Sequence, residues 1–236
     1  MKTIGLIGGL SWESTSEYYR LLNMGVKKRL GGLRSAQCVL YSFDFAGIEE
    51  LQHQGRWDEA TQRMISAAQS VERGGADFLL ICSNTMHRMA DDVQRNIDIP
   101  LLHIADATAQ QITAQHVQRV GLLATAFTME QEFYKGRLTQ KYGLNVLIPA
   151  PEERTVIHDI IYGELCLGEI RQASKEAYQR IIEHLVSEGA EAIIAGCTEI
   201  MLLIAQKDCP VPLFDTTSIH VEAAIELALQ TNPAIL

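Results

Sequence analysis

Positive charge is scarce in this chain. Its 236 residues carry 20 lysines and arginines against 29 aspartates and glutamates, a net charge of −9 with a pI near 5.3. That field repels phosphate backbones and anionic membranes, so neither is expected as a partner. An acidic small molecule stays possible where local donors overcome the field. Long apolar runs are missing too: no segment approaches 18 apolar residues without charges, so no membrane span is expected. The apolar run Ile4–Leu10 holds three glycines and leads straight into "SWESTSEYY", which does not read as a secretory signal. The cysteines are Cys38, Cys82, Cys166, Cys197 and Cys209. They are odd in number and lack CxxC spacing, so neither a disulfide framework nor a zinc site is expected, and the reading is cytoplasmic and reduced. "GLIGGLSW" lacks GxGxxG, which disfavours dinucleotide binding and leaves a tight turn that brings backbone close to a small ligand.

What the chain does have is an alternation of short apolar runs with longer amphipathic ones. Strands are expected at Thr3–Ile7, Cys38–Phe43, Phe78–Cys82 and Leu101–Ile104, then at Val120–Ala124, Asn145–Pro149, Ala192–Ala195 and Val211–Phe214. Runs of unbroken polarity suit parallel strands covered on both faces. Ser14–Glu17 reads as a capping box with Gly31-Gly32 as its stop; Thr128–Gln131 repeats the device with Gly143 as its stop; Asp58 opens a helix ending near Gly74. The class is therefore α/β.

The two sets of strands echo each other. "GADFLLICSNTMH" (Gly75–His87) matches "GAEAIIAGCTEI" (Gly189–Ile200), with Ser83 falling on Cys197, 114 positions on. "TIGLIGG" (Thr3–Gly9) matches "RVGLLAT" (Arg119–Thr125), and "IPLLHIAD" (Ile99–Asp106) matches "VPLFD" (Val211–Asp215). Three matches in one order at nearly one offset argue for an internal duplication. The expectation is two similar domains, each a four-stranded parallel sheet flanked by helices and related by pseudo-twofold symmetry: residues 1–99 plus 210–236, and residues 100–209.

Ligands bind at the carboxyl ends of parallel strands. Ser83-Asn84-Thr85 ends one strand and Cys197-Thr198-Glu199 the other, each leading into a helix whose amino end suits an anion. Two facing halves would put Ser83 and Cys197 on opposite walls of one cleft, which suits removing a proton from one face of a carbon and returning one to the other. A cysteine, with an ordinary pKa of about 8.5 that helix N-termini lower, serves as acid or base near neutrality. A serine hydroxyl is far weaker. Cys197 is thus the candidate base and Ser83 the weaker partner. The competing readings are a core cysteine for Cys197 and a helix N-cap for Ser83. Cys82 points to the opposite face from Ser83 and reads as core. His87 reads as a satisfied helix residue more readily than a catalytic one; His103 and His220 have no partner that the sequence identifies. Asp106 and Asp215 read as helix caps more readily than as catalytic groups.

"ICSNTMH" and "AGCTEI", supported by "TIGLIGG", "GLLATAFT" and "IIYGELCLG", resemble the paired motifs of the aspartate/glutamate racemase family, which works without pyridoxal phosphate. The closest similarity is to the L-aspartate/glutamate-specific racemases of enteric bacteria, where the first motif also carries a hydroxyl residue. The resemblance implies two α/β domains with the site between them, usually in a homodimer, no cofactor and no metal, and a small acidic amino acid as substrate. It implies that Cys197 handles the proton on the L-face. Ligand contacts would fall on Leu10, Gln52, Ser83, Asn84, Thr85, Thr125 and Thr198, with Glu199 among the substrate-binding positions. Ser83 stands where two-cysteine members have their first cysteine, which implies unequal handling of the two enantiomers. Cys166 stands where some archaeal members place a lysine, so binding of the distal carboxylate would rest on uncharged donors. Two rivals remain: a single-cysteine decarboxylase or isomerase of the same superfamily, and a small-ligand binding protein that has lost catalysis, in which Cys197 would be an inert thiol.

Overall fold

In the computed structural model, which describes residues 1–230, the chain forms two compact units: Met1–His103 with the chain from His220 onward, and Ile104–Ile219. The first runs β1 (Ile4–Gly8), α1 (Trp12–Leu30), β2 (Cys38–Ser42), α2 (Phe45–His53), α3 (Trp57–Arg73), β3 (Phe78–Ile81), a 3-10 turn (Thr85–Met89) and α4 (Ala90–Gln94). The second runs α5 (Ile104–Ala114), β4 (Arg119–Leu123), α6 (Ala126–Glu130), α7 (Glu132–Tyr142), β5 (Asn145–Leu147), α8 (Pro151–Gly163), a 3-10 turn (Leu165–Leu167), α9 (Gln172–Ser187), β6 (Ala192–Ala195), α10 (Ile200–Leu203), a 3-10 turn (Gln206–Asp208) and β7 (Leu213–Asp215). A last helix, α11 (Thr216–Leu229), starts in the second unit and ends in the first.

Both sheets are parallel. Their orders are β2-β1-β3 and β5-β4-β6-β7. The expected strand at Leu101–Ile104 shrinks to a single parallel bridge between Leu79 and Leu101, because helix α5 already begins at Ile104. With that bridge counted, each unit repeats one order of sequence positions, second-first-third-fourth, as a duplication requires. The return of the chain to the first unit comes at His220, later than the expected crossing at 209–210, because β7 pairs with β6 and binds residues 213–215 into the second sheet.

The repeated motif is explained residue by residue. Gly75 and Gly189 take φ of 89° and 97°, values that glycine adopts without strain. The acid two residues later ties down the start of the first strand: Asp77 Oδ2 accepts from Thr3 N–H at 2.5 Å, and Glu191 Oε2 accepts from Gln118 and Arg119 N–H at 2.8 and 3.0 Å. The N–H groups of Arg119 and then Gln118 hold the Glu191 carboxyl below its ordinary range. The apolar runs that follow, Phe78–Ile81 and Ala192–Ala195, are wholly buried, as central parallel strands must be.

Capping departs from expectation at two helices. Ser11, not Ser14, caps α1, its hydroxyl accepting from Ser14 N–H at 3.3 Å. Thr125, not Thr128, caps α6, accepting from Thr128 N–H at 3.4 Å. In both cases the cap is the earlier hydroxyl residue, in the short exit that follows the strand, where the backbone is still in the extended conformation a cap needs. Gly31 and Gly143 stop their helices as expected.

The cores are separate. One face of the first sheet packs on α3 through Met64, Ala67, Ala68 and Val71. The other packs on α1 and α11 through Tyr18, Leu22, Val26, Val221, Ala224 and Ile225. The second sheet has its own core, including Ile161, Tyr178, Ile182 and Leu185 from α8 and α9. Gly5 and Gly121 mark the same close approach of helix to first strand. A Cβ on Gly5 would meet Val71 Cγ1 at 2.5 Å and the Phe78 carbonyl oxygen at 2.8 Å; one on Gly121 would meet Ile193 Cδ1 at 2.8 Å and Leu185 Cδ1 at 3.0 Å. Backbone cannot retreat as a side-chain tip can. Gly5→Ala should therefore destabilise by about 1–3 kcal/mol and Gly121→Ala by less, measured by chemical denaturation. Equal losses would contradict this reading of the contact.

Candidate active site

The expected site residues of the first unit come together at the carboxyl edge of its sheet. Leu10 follows β1, and the Leu10–Ser11 peptide is cis. Ser83, Asn84 and Thr85 follow β3, whose ladder ends with Cys82 N–H donating to the Ile7 carbonyl at 2.9 Å. Gln52, on the helix after β2, reaches the same place: its Nε2 donates to Met86 Sδ at 3.0 Å. Leu10, Leu51 and Met86 share one apolar cluster. Gln52, Asn84 and Thr85 are buried, while Ser83 is half-buried. The Ser83 hydroxyl accepts from Met86 N–H at a long 3.4 Å, a loose cap that leaves its own proton available for donation.

In the second unit, Thr125 follows β4, and Cys197, Thr198 and Glu199 follow β6. Gly196 N–H donates to the Leu123 carbonyl at 2.7 Å, the counterpart of the Cys82 bond. The Cys197 thiol donates to Glu199 Oε2 at 2.9 Å, and Glu199 is itself buried. Thr198 exchanges a hydroxyl bond with Thr217 at 2.8 Å. Thr217 was missed in the sequence; applying the strand-end rule to the fourth strand, which "FDTT" closes, would have found it. Tyr178, buried behind this segment, was missed as well, because an aromatic at helical spacing reads as core. Its hydroxyl is pushed well above its ordinary pKa by burial first, and further by its nearness to Cys197 and Glu199.

Two expectations about charge are revised. The segments after Ser83 and Cys197 lead into a 3-10 turn and a four-residue helix, not into long helices. Little dipole is available there to favour an anion. Accordingly, the Cys197 thiol lies well above its ordinary pKa, not below it: burial is the largest cause, followed by the Glu199 charge, then Cys166. Cys197 rests as a protonated thiol whose proton already points at a carboxylate.

Other candidates have structural roles. Cys82 is buried in the α1–α11 core, and burial, with Cys38 behind it, drives its pKa far up. Asp215 caps α11, accepting from Thr217 N–H at 3.0 Å and Ser218 hydroxyl at 2.5 Å. Asp106 does not end a strand: it sits in the first turn of α5 in a two-pronged pair with Arg137, at 2.6 and 2.7 Å, and with Lys141 at 2.8 Å. His220, unassigned from sequence, accepts from the Tyr18 hydroxyl at 2.9 Å and bonds the Leu102 carbonyl at 2.8 Å. No group of three or more His, Cys, Asp or Glu among the described residues could hold a metal ion, and no helix among them is long and apolar enough to cross a membrane.

The chain is similar to known proteins over most of its length. The profile of the Asp/Glu/Hydantoin racemase family matches residues 7–224. A Yersinia pestis crystal structure carrying the Asp/Glu racemase name is 53% identical, covers 98% of this chain and 100% of its own, and superposes with a TM-score of 0.91. An aspartate racemase homologue from Pyrococcus horikoshii OT3 is 37% identical, with 98% and 100% covered and a TM-score of 0.84. A broad specificity amino-acid racemase, RacX of Bacillus subtilis, is 21% identical over 231 residues, 96% of this chain and 98% of its own.

The resting state of the thiol is open to direct measurement. In the ligand-free protein, alkylation of Cys197 should be slow at neutral pH and speed up only as pH rises. Glu199→Gln removes a negative charge that opposes thiolate formation, so it should move the alkylation profile to lower pH. A profile that stays in place or moves upward would show that Glu199 does not act on the sulfur.

Proposed function

This chain belongs to the Asp/Glu/hydantoin racemase family, and we propose that it inverts the α-carbon of acidic amino acids, with Cys197 as the base toward the L-isomer and Ser83 as the weaker partner. The observation that carries this reading is the Cys197–Glu199 pair: a thiol at a strand end, 2.9 Å from a buried proton acceptor. Transfer of the thiol proton to Glu199 creates the thiolate that removes the α-proton. The positive ammonium group of an incoming amino acid favours that transfer, since it offsets the charge that keeps the thiol protonated. Removal of the α-proton leaves a flat carbanion delocalised into its carboxylate. A proton delivered to its other face by the Ser83 hydroxyl, or through a water bonded to it, gives the D-isomer. The sulfur keeps the α-proton as its thiol proton, and the cycle closes when the proton held by Glu199 is released to solvent and solvent restores the one that the Ser83 hydroxyl gave up. Thr198 with its partner Thr217, and Thr85, Asn84 and Thr125, supply neutral donors suited to substrate carboxylates.

Serine in place of a second cysteine limits how asymmetry can appear. Enantiomers have equal free energy in water, so the ratio of kcat/KM in the two directions is one for any variant. A weak base on the D-face lowers both directions together and shows its asymmetry only in the separate kcat and KM values. Cys197→Ser should reduce α-proton exchange of the L-substrate in deuterated water by roughly 10²–10⁴-fold in a folded protein. Ser83→Cys should raise kcat for the D-isomer more than for the L-isomer. Ser83→Ala should suppress D-product while sparing exchange on the L-isomer, because Cys197 can return a proton to the face it came from. Exchange at the wild-type rate in folded Cys197→Ser would remove Cys197 from the role.

A further inference from the structure

Ser83 rests on a buried imidazole. His87, four residues on in the 3-10 turn and 2% exposed, donates from Nδ1 to the Ser83 carbonyl oxygen at 2.7 Å. Its ring lies 4.6 Å from that of His103 and 5.8 Å from that of His220. His220 is locked in turn between the Tyr18 hydroxyl and the Leu102 carbonyl. Burial holds it neutral, with its pKa lowered to about 4. Three histidines thus form a packed block behind the Ser83 peptide, tied to α1, α11 and the residue after the Leu101 bridge.

The duplicate motif shows that this loop needs no imidazole to form. The Cys197 carbonyl is satisfied by Ile200 N–H at 3.2 Å, and the position matching His87 is Met201. The two copies therefore hold their candidate active groups differently. A cysteine sulfur is large, polarizable and paired with Glu199. The serine hydroxyl is a weak acid held, among the described residues, only by the long bond from Met86 N–H, so its orientation depends on the peptide that carries it.

We propose that His87 is a positioning residue for Ser83: its N–H fixes the Ser83 peptide so that the hydroxyl is presented as the proton donor on the D-face. This rests on the racemase reading above. The His103 and His220 rings keep His87 from turning away.

The test uses L-substrate in deuterated water with the full-length protein. Exchange at the α-carbon with retention reports Cys197 alone, while deuterated D-product reports delivery by Ser83. His87→Leu should lower the ratio of D-product to total exchange by about tenfold or more, the scale of a misplaced reacting group. His87→Asn, which carries an N–H on the branch matching Nδ1, should restore most of that ratio; His87→Gln, whose N–H extends toward the Nε2 position, should not. If His87→Leu does not fold, the Asn and Gln variants decide by themselves. A general structural defect lowers exchange and product together and leaves the ratio unchanged; that result, or equal ratios in the Asn and Gln variants, would overturn the inference while leaving the racemase reading standing. Absence of α-proton exchange in the wild-type protein would overturn the racemase reading and this inference with it.

Discussion

Two backbone hydrogen bonds set the position of everything chemical in this chain: Cys82 N–H to the Ile7 carbonyl and Gly196 N–H to the Leu123 carbonyl. Each is the last bond between the first and third strands of its sheet. Each leaves the next residue, Ser83 or Cys197, as the first beyond the ladder. Side chains alternate faces along a strand, so a slip of one residue would turn the reactive group into the core and expose its neighbour. The register is secured at the other end of the same strands, where Asp77 and Glu191 grip the N–H groups that open the first strand. An acid at the amino end therefore positions a reactive side chain at the carboxyl end.

From that shared frame the copies diverge in how they support their reactive groups. The second copy places a carboxylate, Glu199, two residues after Cys197, where it accepts the thiol's hydrogen bond. The first has Thr85 at the matching place and puts its ionisable group at His87 instead, bonded to the backbone and not to the serine oxygen. A thiol needs a proton acceptor to become a base. In the proposed role, a hydroxyl that only delivers a proton needs orientation, and the two supports suit that difference in demand.

Much of the fold was legible because the signals are local. Unbroken runs such as Phe78–Ile81 and Ala192–Ala195 are too short and too apolar to be anything but covered strands, and Gly31 and Gly143 announce helix ends. The caps were misplaced because serine and threonine are frequent in the first turn of α1 and α6, and only the strand exit tells Ser11 from Ser14 or Thr125 from Thr128. The strand at Leu101 was overestimated because its apolar run continues without interruption into α5. At the candidate site, the matching places of Ser83 and Cys197, each just past its strand ladder, were legible from the repeat. The direction of the Cys197 pKa was not, because it depends on burial and on the aim of the Glu199 carboxylate, and neither is a property of spacing. Tyr178 escaped for a like reason: it meets the motif in space from a helix position that carries no echo of it, whereas Thr217, at the end of the fourth strand, was there for the strand-end rule to find.

The second unit is written into the sequence between two parts of the first. The sheet face that carries Ile4, Leu6, Phe78 and Leu80 is closed by α1 together with Val221, Ala224, Ile225 and Ala228 of α11. A ribosome delivers those last residues only after all of the second unit has emerged. The amino-terminal strands must therefore wait with one apolar face half covered while a complete neighbouring domain is made and folded. During that interval the nascent chain presents the kind of surface that chaperones bind and that drives misassembly. Damage to α11 would be felt not where the chain ends but at its beginning, in the core under β1.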